Sequence, residues 1–199
     1  MKAGVLALQG AYGLHLDALD RLRIPGKEVR KAGDLDDIEL LIIPGGESTT
    51  ISMLLDRSGL FEAIDERISA GMPVFGTCAG AILLCSRVRD GRPDQRSFGA
   101  IDITVRRNGY GGQLQSFEAD LDIDGVKGPP YHGIFIRAPV VEQVAPGVEV
   151  LASVRGDPVV CRQGPVMITT FHPELTDDDR LHQLFLRQTD DPGRSLATA

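Results

Sequence analysis

Cys78 stands in the pentapeptide Gly76-Thr77-Cys78-Ala79-Gly80. A thiolate is a strong nucleophile, and small residues on both sides suit a sharp turn that holds sulfur at the end of a strand, as in Gly-x-Ser-x-Gly with sulfur for oxygen. A helix starting at Ala79 would aim its free N–H groups and positive dipole end at the sulfur and favour the thiolate. The Ala79 N–H would then lie near a developing oxyanion. The competing reading is a small buried core cysteine. Cys85, placed in the apolar helix after the turn, and Cys161, placed in an alternating strand, have no glycine frame and are assigned to packing.

A thiolate needs a base that later protonates the leaving group. Of the four histidines, His15 and His182 fall in amphipathic helices and read as surface or boundary residues, and His132 follows Pro129-Pro130-Tyr131 in a loop. His172 ends the last apolar strand in Phe171-His172-Pro173-Glu174. In extended chain residues i and i+2 face the same way, which sets Glu174 beside His172, with Pro173 keeping the stretch out of a helix. A carboxylate there would fix the imidazole tautomer and stabilise the imidazolium. Otherwise the two are a solvated strand end and a helix-leading acid.

Another apolar strand ends in Pro44-Gly45-Gly46-Glu47-Ser48. Bare glycine N–H groups can donate to an anion, and the missing Gly-Lys-Ser/Thr disfavours a phosphate loop. An oxyanion or carboxylate site beside Cys78 and a plain turn both remain open.

The elements that must carry these residues alternate. Gly4 to Leu8 reads as a strand, and Ala11, Leu14, Ala18 and Leu22 as a helix stopped by Pro25-Gly26. A short strand near Glu28, the run Leu40 to Ile43, a helix from Glu47, a second after Ser58, the strand Pro73 to Gly76 and a helix from Ala79 follow. Such alternation builds a parallel sheet covered on both faces. Residues 98 to 170 change to short segments parted by Gly and Pro, read mostly as strands, some antiparallel. Val166 to Phe171 is the last apolar strand, and Thr176 with Asp177, Asp178 and Asp179 reads as the start of a final helix. The fold expected is α/β, a three-layer sandwich with a mostly parallel central sheet and antiparallel additions. It is one domain over 1–189, with 190–199 a disordered tail.

Composition narrows the class. The 199 residues are 42% hydrophobic and 25% charged, as in ordinary globular proteins. The net charge of −7 argues against nucleic-acid binding. No apolar run nears the ~20 residues of a membrane span. The apolar start, Gly4 to Leu8, is too short for a signal peptide. Three cysteines without CxxC spacing fit a reducing compartment, here the cytoplasm, and exclude a disulfide framework or a Cys-rich zinc site.

Taken together and in this order, Pro44-Gly45-Gly46, Gly76-x-Cys78-x-Gly80 and His172-Pro173-Glu174 resemble the class I, triad-type glutamine amidotransferases. Within that class the chain is most similar to the glutaminase subunits of pyridoxal 5′-phosphate synthase. That likeness runs from Leu6-Ala7-Leu8-Gln9-Gly10 to Thr176-Asp177-Asp178. The segments nearest this branch include Pro44 to Thr50, Arg107-Asn108, Ser116-Phe117-Glu118, Phe135 to Pro139 and Phe171 to Thr176.

The resemblance implies that Cys78 attacks the side-chain amide of L-glutamine and forms a glutamyl thioester. His172 would protonate departing ammonia and then activate water, and Glu174 would orient His172. Gly46, Glu47 and Ser48 would line the glutamine site, completed by Arg107, Ile136 and Arg137. Gly46, Ala79 and Gly10 would form the oxyanion hole, with Gln9-Gly10 reorganising when a partner docks. Ammonia would pass to a PdxS-type synthase subunit in a hetero-oligomer, which makes pyridoxal 5′-phosphate (vitamin B6) from ribose 5-phosphate or ribulose 5-phosphate and glyceraldehyde 3-phosphate. No metal or organic cofactor is implied.

One departure is Gly112, where the family pattern has arginine; the loss of a cation there bears on docking or glutamine affinity. Two rivals share the fold. One is a glutaminase serving another synthase, and the other is a non-catalytic binding module. A cysteine peptidase on a related fold is disfavoured, because nothing suggests an extended peptide groove.

Overall fold

The computed structural model describes residues 1–107 and 116–189. The expected tail at 190–199 and the departure at Gly112 lie outside them. In chain order the strands are β1 (Ala3–Leu6), β2 (Gly26–Val29), β3 (Leu40–Ile43), β4 (Val74–Thr77), β5 (Cys85–Arg89) and β6 (Ile101–Arg106). Then come β7 (Ser116–Leu121), β8 (Tyr131–Ile136), β9 (Val140–Val144), β10 (Glu149–Val154), β11 (Asp157–Gln163) and β12 (Val166–Thr169). The helices are α1 (Tyr12–Arg21), α2 (Ser48–Ser58), α3 (Leu60–Ser69), α4 (Ala79–Leu84) and α5 (Arg180–Thr189).

Among the described residues the main sheet has seven strands in the order β10-β11-β12-β4-β3-β1-β2. From β12 to β2 every pairing is parallel, and β10 and β11 add an antiparallel edge. The inner strands β1, β3, β4 and β12 are short apolar runs buried at every residue, as strands covered on both faces must be. The edge strand β2 buries Val29 alone.

The pleat divides the sheet between two cores. Leu41, Ile43, Val74 and Ile168 pack with residues of α2, α3 and α4, and Leu40, Ile42, Phe75 and Met167 pack with residues of α1 and α5. Helices thus cover both faces of the sheet. Phe75 is fully buried and meets the Phe185 ring at 5.4 Å. Its truncation to alanine would cost about 3–5 kcal/mol.

A three-stranded sheet (β5-β6-β9) and the hairpin β7-β8 complete the described architecture. Strand β5 is unexpected, and β9 falls in the stretch 98–170 expected to be mostly strands, where no signal singles it out. Cys85 opens β5 rather than lying in the preceding helix, because the carbonyls of Leu83 and Leu84 are taken by Phe98 N–H (2.7 Å) and Ala100 N–H (2.8 Å). That incoming chain ends α4 and starts a sheet. His132 lies in β8, not in a loop, opposite Asp120 of β7. Thr176 does not cap the last helix. Its hydroxyl accepts from Asp178 N–H at 3.3 Å, and α5 begins at Arg180 beyond an Asp178 carboxylate that accepts from Arg180 N–H at 3.1 Å. No helix of the described residues is long and apolar enough to cross a membrane.

Candidate active site

Cys78 occupies the step from β4 into α4 with φ 48° and ψ −101°. An L-residue held there carries strain on the order of 1–3 kcal/mol, which surrounding structure must enforce. Its N–H donates to the Thr169 carbonyl of β12 at 2.8 Å, and its carbonyl accepts from Ala81 N–H at 3.1 Å. The flanking glycines let the turn close: a Cβ on Gly80 would lie 2.1 Å from the Ile43 carbonyl oxygen, and one on Gly76 would lie 2.7 Å from the Gly80 carbonyl carbon. Cys78 is 6% exposed, with Sγ 4.0 Å from the Ile136 carbonyl oxygen.

His172 follows β12, held by its N–H donating to the Ile134 carbonyl at 3.0 Å. Its Nδ1 makes a 2.7 Å hydrogen bond with Glu174 Oε1. The pairing is as expected but its cause differs. Pro173–Leu175 form a 3-10 turn with His172 as its N-cap, so the chain is not extended there. Proline at a first helical position has its φ preset and no N–H to lose, so Pro173 starts the turn rather than preventing one.

Burial works against charge on His172, but the Cys78 sulfur and the Glu174 carboxylate outweigh it and raise the imidazole to about 10. Burial pushes Glu174 up in turn, while its hydrogen bond to His172 and the nearby His15 and His172 rings hold it below its ordinary value. The three side chains therefore form one electrostatic unit at the carboxyl ends of β4 and β12, where open α/β sheets place their ligands. Burial pushes the Cys85 and Cys161 thiols each up to about 12, which keeps them protonated and inert.

The Pro44-Gly45-Gly46 turn follows β3, the other neighbour of β4. Gly45 N–H donates to Thr77 Oγ1 at 3.0 Å, so this donor is committed to the scaffold. Gly10 packs its Cα against the Gly45 carbonyl, and Gln9 Oε1 accepts from Glu47 N–H at 2.8 Å. Ala79 is the first residue of α4, where an N–H has no intrahelical partner. The three expected oxyanion residues, Gly46, Ala79 and Gly10, thus lie on segments that meet around Cys78.

The expected glutamine-site residues are distributed around this centre. Glu47 and Arg107 are joined by a salt bridge between Oε1 and Nη2. Ser48 opens α2, and its buried hydroxyl has no partner among the described residues. Ile136 ends β8 with an exposed side chain and turns its carbonyl toward the sulfur. Arg137 follows at φ 45°, exposed.

Two expectations fail outright. His15 and His182 are not surface residues; they are 0% and 1% exposed. His15 Nδ1 lies 2.9 Å from His182 Nε2, and His15 Nε2 lies 3.4 Å from Thr77 Oγ1 and 3.5 Å from Glu174 Oε2. Burial lowers both imidazoles, most strongly His182. The signal was present in the sequence. His15 shares a helical stripe with Ala18 and Leu19, and His182 is three residues before Phe185, on the faces that pack inward. Gln9 and Thr77 also brace the site without having been assigned that support.

Comparison with known proteins gives a consistent result. Residues 5–191 match the model of the SNO glutamine amidotransferase family. A protein of Parafrankia sp. called pyridoxal 5′-phosphate synthase subunit PdxT is 52% identical over 185 residues, covering 93% of this chain and 91% of that one. Its namesake in Salinispora arenicola is 54% identical over 187 residues, covering 92% and 93%. A crystal structure described as a glutamine amidotransferase is 47% identical, with a TM-score of 0.88 and coverage of 94% of this chain and 98% of that chain.

Proposed function

The chain belongs to the SNO glutamine amidotransferase family, and from that premise we propose how its residues divide the work. It is a glutaminase, hydrolysing L-glutamine to L-glutamate and ammonia for pyridoxal 5′-phosphate synthesis. The observation that carries the site assignment is the convergence of Cys78, His172 and Glu174, with the His172–Glu174 bond at 2.7 Å.

Cys78 Sγ attacks the glutamine side-chain carbonyl carbon. The oxyanion forms against the N–H groups of Gly46 and Ala79, with Gly10 completing the hole. His172, charged beside the thiolate, gives its proton to the departing nitrogen as the C–N bond breaks, leaving a glutamyl thioester and ammonia. Neutral His172 then takes a proton from water, which attacks the thioester. Glutamate leaves and the thiolate–imidazolium pair is restored. Glu174 keeps the Nδ1 proton of His172 in place through both halves.

Arg107 and Glu47 suit the two ends of an amino acid head, the guanidinium taking the α-carboxylate and the carboxylate the α-ammonium. Ser48, Ile136 and Arg137 line the rest of the glutamine site. A PdxS-type synthase subunit receives the ammonia in a hetero-oligomer, a reading supported by the relatives' description as synthase subunits. Three free cysteines support a cytoplasmic setting.

The deciding experiment measures ammonia release from glutamine with and without an added pyridoxal 5′-phosphate synthase subunit. Turnover that rises on addition supports both chemistry and partner. Turnover indifferent to it leaves the glutaminase and rejects the partner, and an inert Cys78 thiol in both conditions rejects the triad.

A further inference from the structure

Behind the triad lies a second, fully buried layer that the hydrolytic cycle does not use. Glu174 spends Oε1 on His172; its Oε2 is buried and accepts no hydrogen bond among the described residues. A carboxylate with one bare oxygen away from water is costly. His15 of α1 lies 3.5 Å from that oxygen through Nε2, Thr77 Oγ1 of β4 lies 3.4 Å from the same His15 nitrogen, and His182 of α5 lies 2.9 Å from His15 Nδ1.

Donor and acceptor rules choose the tautomers. A neutral imidazole has one N–H and one lone pair. If His15 carried its proton on Nδ1, the Nε2 lone pair would face a carboxylate oxygen, and His182 would be left with a buried N–H on Nδ1, an atom that has no partner among the described residues. With the proton on Nε2, the positive end of His15 faces Glu174 Oε2 and the Thr77 hydroxyl. His15 Nδ1 then accepts from His182 Nε2–H, and the partnerless His182 Nδ1 is a lone pair rather than a stranded donor. We propose that His15 is a positioning residue for the glutaminase reaction, its Nε2–H holding the second oxygen of Glu174 so that the first stays on His172, with His182 setting the His15 tautomer.

The inference rests on the triad reading above. The same chain of contacts reaches the oxyanion side, since Thr77 Oγ1 accepts from Gly45 N–H at 3.0 Å. The ionisable groups facing His15 are Glu174 and His172 on the 3-10 segment and His182 on α5, with Arg21 acting on His182.

The test uses the full chain with the synthase subunit. His15→Leu fills the space and removes the donor; His15→Gln returns an N–H near the Nε2 position. For His15→Leu the expected result is a kcat lower by about tenfold or more with KM for glutamine little changed, as for other supporting shells. The acid limb of kcat/KM should move to higher pH, because Glu174 loses a group that favours its ionised form. His15→Gln should recover most of both. Wild-type kcat and pH profile in a folded His15→Leu variant overturn the proposal, and so does His15→Gln performing no better than His15→Leu.

Should His15→Leu fail to fold, the His15→Gln profile decides together with the unsubstituted protein. There, long-range 1H–15N spectra of labelled histidines should show His15 protonated on Nε2 alone; a proton on Nδ1, with or without a second on Nε2, overturns it. These outcomes are separable from failure of the triad. In that case wild type releases no ammonia or Cys78→Ala still does, while the spectrum reads His15 without turnover.

Discussion

Gly45 and His172 are in such close contact that a single added carbon would separate the triad. A Cβ on Gly45 would lie 2.4 Å from His172 Cε1, 2.9 Å from Nδ1 and 3.3 Å from Cys78 Cβ. The imidazole would have to move, and displacement of a reacting group by about 1 Å costs on the order of a hundredfold in rate. Gly45→Ala should therefore lose about two orders of magnitude in kcat while keeping a folded, soluble chain, as read by ammonia release and thermal melting. An alanine variant with wild-type turnover would contradict the placement of His172.

Cys78→Ala should abolish hydrolysis, by about ten-thousandfold or more. It should also change how His172 titrates. The sulfur is one of the groups that raise His172 to about 10, so its loss lets burial count for more and the imidazole pKa falls. Proton NMR of the His172 ring in wild type and variant checks the direction.

That shift carries a stability consequence. His172 is raised above its ordinary 6.5, so its contribution is fully present below that value and lost as pH climbs through about 10. Glu174 is held below its ordinary 4.5, so its contribution is present above 4.5 and lost as pH falls through the lowered value. Thermal melts of wild type should decline as pH climbs toward about 10 more steeply than those of Cys78→Ala. Parallel curves would count against the thiolate–imidazolium pair.

Gly80→Ala tests the elbow by way of the fold. Its Cβ would collide with the Ile43 carbonyl oxygen at 2.1 Å, a backbone atom that cannot swing aside. Overpacking of this kind costs about 1–3 kcal/mol, to be read from the urea midpoint. Unchanged stability would mean that β3 and α4 are not in contact at that point.

Arg107→Lys keeps the charge and loses the planar fork that pairs with a carboxylate. KM for glutamine should rise several-fold with kcat little altered. A fall in kcat with KM unchanged would place Arg107 outside the substrate site.

The alternation of strands and helices was legible because each inner strand is a compact apolar run and each helix carries a stripe. Strands β5 (Cys85-Ser86-Arg87-Val88-Arg89) and β9 (Val140 to Val144) lie outside the main sheet, and β5 leaves only Cys85 fully buried. Local pattern therefore said little about them. The proposed triad was legible because glycines mark the places where backbone and functional group must approach closely. The setting of the second oxygen of Glu174 was not, since His15 of α1 faces it and is itself set by Thr77 of β4 and His182 of α5, brought together only by tertiary packing. A lone histidine in a helix reads as a boundary residue, although the neighbours of His15 at three and four positions on, Ala18 and Leu19, are apolar. Pro173 misled for a related reason: proline forbids a helix interior but favours a helix start.

The sheet order has a consequence for how the protein comes into being. Strand β12 lies between β11 and β4, pairing Thr169 with Thr77 beside the nucleophile. In the chain, however, Cys78 lies far ahead of its proposed base. The strain at Cys78 has no Thr169 carbonyl to enforce it until β12 inserts into the centre of the sheet. On the proposed mechanism, insertion of that strand, followed at once by His172 and Glu174, would make completion of the fold and onset of the chemistry a single event.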